Sequence, residues 1–193
     1  MTRQERRERQ LAERRQVIVT AARELAESEG WESVTTRRLA DRIEYSQPVL
    51  YSHFEGKDAI VTAVALEGYS ELTTLLHAAR HKAGSPESEG RAVATAYVEF
   101  ARANPALYEA MFVLRIDLRF AQSDTPAQVH ASFVELRDAL APLAGSRDVD
   151  TLTEVAWSGL HGLTTLSRAG RLRPEFSDQR LSMLVDQLSQ PRT

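Results

Sequence analysis

The chain predicts an all-α fold of about nine helices, and three observations carry that reading. Apolar residues recur at three- and four-residue steps in one segment after another. Gly, Pro, Ser and Asn fall between those segments, where helices start and stop. No stretch alternates apolar and polar residues convincingly enough to read as a strand, and no internal repeat is evident.

In the first helix, over 14–29, Val17, Ile18, Ala21, Ala22, Leu25 and Ala26 make one apolar stripe, and Gly30 is placed as its C-terminal stop. Trp31 and Val34 then supply a small core. The stretch TTRRLADRIEYSQPVLYSHFEGK, residues 35–57, reads as two short helices and a tight turn. Thr35 caps the first, over 36–43, by accepting from a backbone N–H that has no partner within the helix. Leu39, Ala40 and Ile43 give that helix one apolar face, and the turn is Glu44-Tyr45. Ser46 caps the second helix, and Pro48 falls in its first turn, where a missing N–H costs nothing. Leu50 and Phe54, four apart, face inward; Gln47, Tyr51 and His53 are left outside. A short helix with an apolar back and hydrogen-bonding tips suits a DNA major groove.

Ile60, Val61, Val64, Leu66, Tyr69, Leu72, Leu75 and Leu76 carry a longer helix over 58–81, about 35 Å long. That length suffices to join the first unit rigidly to the C-terminal half of the chain. KAGSPESEG, residues 82–90, reads as a loop. A helix with Val93, Ala94, Tyr97, Val98, Phe100 and Ala101 ends near Asn104, and Asn104-Pro105 starts another with Leu107, Tyr108, Met111, Phe112 and Leu114. Residues 117–125 are polar and irregular. Pro126 opens a helix with Val129, Phe133, Leu136 and Leu140 that ends at 142–145. Two amphipathic helices close the chain, over 148–169 and 174–190.

Composition narrows the function classes. The chain has 193 residues, 42% hydrophobic and 26% charged, which is ordinary for a globular protein with ample length for a core. Without cysteine it has neither disulfides nor thiolate metal sites. No uninterrupted apolar run of 18 residues and no secretory h-region at the start lead to a cytoplasmic expectation. Net charge is −3, and residues 1–60 hold 11 Lys plus Arg against 11 Asp plus Glu. Bulk charge therefore adds no vote for nucleic acid. Arg3, Arg6, Arg7, Arg9, Arg14 and Arg15, interleaved with Glu5, Glu8 and Glu13, leave two readings open: a flexible arm touching DNA phosphates or the minor groove, or a solvated, mostly disordered tail with helical tendency.

Gly30-Trp31, Thr35, Leu39-Ala40, Ser46, Leu50-Tyr51, His53-Phe54 and Lys57 together resemble the DNA-binding domain of the tetracycline-repressor (TetR) family. One departure is the turn, where the family usually has Gly then Val and this chain has Glu44 and Tyr45. Glu44 implies a different local shape or a non-Gly residue at positive φ. NPALYEAMF, residues 104–112, resembles the family's C-terminal half. Trp157, His161 and Gly162 resemble the Trp-x-x-x-His-Gly signature of one C-terminal subgroup. The resemblance implies a DNA-binding domain at 12–72, with its helix-turn-helix motif at 35–54, and a ligand-binding and dimerisation domain at 73–193. It also implies a homodimer through 148–169 and 174–190, a double-stranded palindromic operator and a small-molecule effector that releases it.

On DNA, Gln47 suits an adenine edge, and Pro48 and Val49 a thymine methyl. Tyr51 and His53 match family positions that contact phosphate, and Ser46 opens the helix that carries them. Lys57 opposes the dipole at a helix start, which points it to phosphate. Thr36, Arg37 and Arg38 begin the helix that crosses the DNA backbone. In the C-terminal half Tyr97, Phe100, Tyr108, Met111, Phe112, Phe133, Trp157 and His161 are candidate walls of a ligand pocket, against the plain alternative that they are core. An enzyme, or a bundle that binds ligand without DNA, is the competing class. Little in the sequence favours it: there is no phosphate loop, nucleophile elbow or HExxH. His77 and His81 share a helix face but have no clear third ligand, so no metal and no cofactor is expected.

Overall fold

The computed structural model describes residues 2–116, 118, 119 and 122–189, except the side chain of Glu87. Among the described residues there are nine α-helices, two 3-10 turns and no strand. In chain order the helices are α1 (Arg3–Glu29), α2 (Thr36–Arg42), α3 (Gln47–His53), α4 (Lys57–Lys82), α5 (Pro86–Ala103), α6 (Pro105–Phe112), α7 (Ala127–Ala144), α8 (Val149–Arg168) and α9 (Ser177–Ser189). The 3-10 turns are Trp31–Ser33 and Pro174–Phe176. Of the polar stretch expected over 117–125, Asp117, Phe120 and Ala121 lie outside the described residues, as does Gln190 of the last expected helix.

Two boundaries differ from the sequence reading. The arginine-rich arm is helical, so α1 begins at Arg3 rather than near residue 14. Thr2 accepts from the Glu5 N–H at 3.2 Å while the Glu5 carboxylate accepts from the Thr2 N–H at 2.8 Å, a reciprocal cap that starts the helix early. The loop expected over 82–90 is short, because α5 already starts at Pro86. Ser88 Oγ accepts from the Ser85 N–H at 3.1 Å and closes the turn ahead of it.

The chain divides into two compact units, residues 1–68 with 104–120, and residues 69–103 with 121–193. In the first, α1, α2 and α3 pack around Ile18, Ala22, Leu25, Trp31, Val34, Leu39, Leu50 and Phe54, all buried. α6, from the second half of the sequence, belongs to this unit through polar contacts made by α1. The Glu27 carboxylate accepts from the backbone N–H groups of Ala106 and Leu107, both at 3.0 Å, and so caps α6. Arg23 donates to Asn104 Oδ1 at 3.0 Å, and the Trp31 indole donates to the Ala106 carbonyl at 2.7 Å. Gly68 lets α4 approach α6 closely, since a Cβ there would sit 2.6 Å from the Met111 sulfur and 2.8 Å from Leu107 Cδ1.

In the second unit α5, α7, α8 and α9 pack on one another around Tyr97, Phe100, Leu136, Leu140, Leu152, Ala156 and Leu160. Gly159 admits Leu184 of α9, whose Cδ1 would lie 2.8 Å from a Cβ at that position. Arg91 of α5 ties α9 down through Ser182 Oγ and Asp186 Oδ1, each at 2.8 Å. By length and hydropathy α4 would qualify as a bilayer-crossing helix, and half of its most apolar window is buried within the protein.

Replacing Glu27 with Ala leaves two α6 N–H groups uncapped and is expected to cost about 1–2 kcal/mol. Urea unfolding should then show a lower midpoint at an unchanged slope.

Candidate nucleic-acid interface

The α2–α3 pair is shaped by its caps and its turn. Thr35 accepts from the Arg38 N–H at 3.2 Å, so the expected cap on α2 is present. α2 ends with Ile43 as its C-cap, and Glu44 follows at φ +56°, the positive-φ non-glycine residue that the departure from Gly implied. The Tyr45 N–H reaches back to the Ala40 carbonyl at 2.9 Å and closes the turn. Ser46 occupies the N-cap of α3 in an extended conformation, but its side chain accepts no hydrogen bond, which corrects the expected Ser46 cap. Pro48 has no N–H to give, and the Val49 and Leu50 N–H groups are taken at 3.0 and 3.2 Å by the Ser46 backbone carbonyl.

α3 has two different sides. Leu50 and Phe54 are buried, at 1% and 4% exposure. Gln47, Pro48, Tyr51 and Ser52 are exposed, Tyr51 at 52%, and Val49 and His53 are half-buried. Gln47 makes no side-chain hydrogen bond among the described residues, so its amide is available to a partner. The Tyr51 hydroxyl lies 3.4 Å from Thr36 Oγ1, which brings a side chain of each motif helix together at the exposed surface. The C-terminal end of α3 is held by Arg15 of α1. Its Nη1 donates to the His53 carbonyl at 3.0 Å, and its guanidinium lies 4.0 Å from the Phe54 ring centroid. Sequence reasoning missed this contact because the partners are 38 residues apart and share no periodic signal.

The expected cations divide by engagement. Arg37 is exposed and has no ion pair among the described residues. Arg38 is bound by Glu29 through both guanidinium nitrogens, each at 3.0 Å, with a further bond to the Ser33 carbonyl. The hydrogen bond from Arg38 lowers the Glu29 carboxyl below its ordinary range and raises the guanidinium in turn. Lys57 is half-buried and donates to the Trp31 carbonyl. Arg38 and Lys57 therefore reach a phosphate either through the N–H donors these bonds leave over or by exchanging these protein partners.

The candidate pocket residues fall in both units. Tyr97, Phe100, Phe133, Trp157 and His161 lie in the second, where the Trp157 indole donates to the Tyr97 hydroxyl at 3.2 Å. The Trp157 and His161 rings share a face of α8 with centroids 6.3 Å apart, and burial lowers the His161 pKa below its ordinary value. Tyr108, Met111 and Phe112 lie on α6 in the first unit, with the Tyr108 and Phe112 rings 4.8 Å apart. Thr164 of α8, buried with no hydrogen-bond partner for its hydroxyl among the described residues, is a polar residue that the apolar periodicity passed over. His77 and His81 stack at 3.9 Å, and His77 Nδ1 lies 2.8 Å from the Glu135 carboxylate.

Comparison with known proteins agrees with this geometry. Residues 18–64 match the family model described as bacterial regulatory proteins, tetR family. Residues 91–188 match the tetracyclin repressor-like C-terminal domain. An HTH-type transcriptional regulator of Bacillus subtilis, YobS, is 34% identical over 104 residues, 53% of each chain. The class C tetracycline repressor protein of Escherichia coli is 45% identical over 51 residues, 26% of this chain and 23% of the repressor. The matched stretch thus spans about half or less of these relatives. A solved structure of a Rhodococcus sp. RHA1 protein of unknown function superposes with a TM-score of 0.76 at 26% identity, covering 91% of this chain and 93% of the other.

At Glu44 the left-handed backbone costs a non-glycine residue about 1 kcal/mol. Glu44→Gly is expected to raise the thermal midpoint by about 2–4 °C in a melt followed by circular dichroism.

Proposed function

The chain belongs to the tetracycline-repressor (TetR) family of transcriptional regulators, and from that premise we propose that it is a ligand-responsive repressor that binds a palindromic DNA operator as a homodimer. The single observation that carries this reading is the two-sided α3. Its apolar side is buried, while the opposite side leaves Gln47, Pro48, Tyr51 and Ser52 exposed and Val49 and His53 half-buried among the described residues. In this reading Gln47 meets an adenine edge and Pro48 and Val49 a thymine methyl. Ser46, Thr36, Arg37, Tyr51 and His53 hold phosphates, and Arg38 and Lys57 join them through donors that their protein partners leave over.

α8 and α9 form the dimer interface. Support comes from Val155, Leu166 and Met183, which stand 56%, 40% and 55% exposed on these two helices. A small molecule held in the second unit releases the operator. Its leverage equals its differential affinity for the bound and released arrangements of the dimer, which alter the spacing of the two α3 helices from one DNA turn, about 34–36 Å, or a multiple of it. The protein acts in the cytoplasm as a regulator rather than an enzyme.

Selection from random duplexes tests the proposal. A palindromic preference should emerge, and Gln47→Ala should relax it at one position per half-site by about 1–3 kcal/mol. Tyr51→Phe should weaken all duplexes alike. A purified dimer that enriches no sequence would end this reading.

A further inference from the structure

Every residue from 2 to 17 is exposed, although α1 is continuous from Arg3. The exposed part of the helix, over 3–17, is about 22 Å long. An isolated helix of this length is marginal in water. Here the packed half of α1 supplies the nucleus, and local bonds hold the rest. Glu5 closes the Thr2 cap, Gln4 donates to Glu8 at 3.0 Å, and Arg9 pairs with Glu13 at 2.7 Å. These bonds engage each glutamate of the segment. The side chains of Arg3, Arg6, Arg7 and Arg14, by contrast, make no hydrogen bond or ion pair among the described residues.

The arginines are also ordered along the helix. Arg3, Arg7, Leu11 and Arg15 follow one another at four-residue steps and form one row, with Arg14 beside it. The row ends at the recognition helix, because Arg15 is the residue that binds the His53 carbonyl and covers Phe54. From Arg3 to Arg14 it runs about 16 Å, a length over which duplex DNA carries about ten negative charges.

We propose that this row is a second DNA contact, in which Arg3, Arg7 and Arg14 hold backbone phosphates of the same duplex beyond the bases read by α3. The inference rests on the reading of α3 as the recognition helix. Guanidinium forks match phosphate geometry. An inserted membrane helix or a coiled-coil strand needs an apolar stripe, and over 3–16 the only large apolar side chain is Leu11.

The test compares the full chain with the triple variant Arg3→Gln, Arg7→Gln, Arg14→Gln, since Gln preserves helix propensity. The operator selected by the unaltered chain is used with long flanks and trimmed flush. On the long duplex the plot of log affinity against log salt should become shallower by about 0.9 for each phosphate no longer neutralised, up to about 2.7 per chain. The selected sequence should not change, and on the trimmed duplex the two proteins should bind alike. A variant with Lys at the three positions should keep most of the slope, which separates charge from any effect of the Gln substitutions on folding. An unchanged slope on the long duplex overturns the inference while leaving α3 as the reader. So does loss of binding to phosphatidylserine vesicles in the Gln variant with duplex binding intact, because the row then serves a membrane. If the unaltered chain enriches no duplex, the reading of α3 falls and takes this inference with it.

Discussion

A carboxylate at the start of another helix sets how the first unit is built. Glu27 gives both oxygens to the N–H groups of Ala106 and Leu107, where α6 would otherwise present unsatisfied donors and the positive end of its dipole. The Trp31 indole binds the carbonyl of the same residue, Ala106, and Arg23 holds Asn104. These contacts make α6 a structural part of the unit that carries α3, although 50 residues of sequence lie between His53 and Asn104. α6 cannot shift relative to α1 without leaving a carboxylate and two amides short of partners.

Within the motif, geometry is fixed by a few contacts on the inner side. Leu50 and Phe54 anchor α3 in the core, and Arg15 holds its last carbonyl and one face of Phe54. Glu44 accepts the left-handed conformation because Tyr45 N–H and Ala40 carbonyl close the turn around it. Arg38 and Arg42 are drawn back to Glu29 and Glu24 at 3.0 and 3.1 Å. The even charge balance of residues 1–60 is thus partly taken up by ion pairs inside the unit, while among the described residues Arg37 and, on the exposed helix, Arg3, Arg6, Arg7 and Arg14 make no such pair.

Much of this was legible in the sequence, and the misses have common causes. The helices were readable because each buries a face with a period close to 3.6, and α2, α3 and their turn were readable because cap, proline and apolar pair fall at fixed offsets. The positive φ at Glu44 is one of the two readings that a non-glycine residue in the turn left open. Contacts between distant residues were not legible: Arg15 with His53, Glu27 with α6, and Arg38 with Glu29 leave no periodic trace. The helical arm was underread because its apolar stripe stops at Val17, while the Thr2–Glu5 cap that starts it is a local polar signal. Ser46 was overread because cap preference counts the residue type and not whether the following N–H groups are free; here Pro48 has none to give. For the pocket candidates, the same burial that makes Tyr97 and Phe100 attractive is what ordinary core residues show.

The outward side of α3 adds little to the folding of α3 beyond the Tyr51–Thr36 contact and the bond from Ser52 Oγ to the Val49 carbonyl. The Gln47 side chain has no intramolecular hydrogen bond to lose among the described residues, Pro48 and Ser52 are exposed, and the anchors sit on the other side. Exchanges at such positions usually change stability by no more than about 0.5 kcal/mol. Natural variation can therefore rewrite this face one letter at a time while the scaffold beneath stays in place, and descendants of a duplicated copy are free to acquire different target sites before their cores diverge.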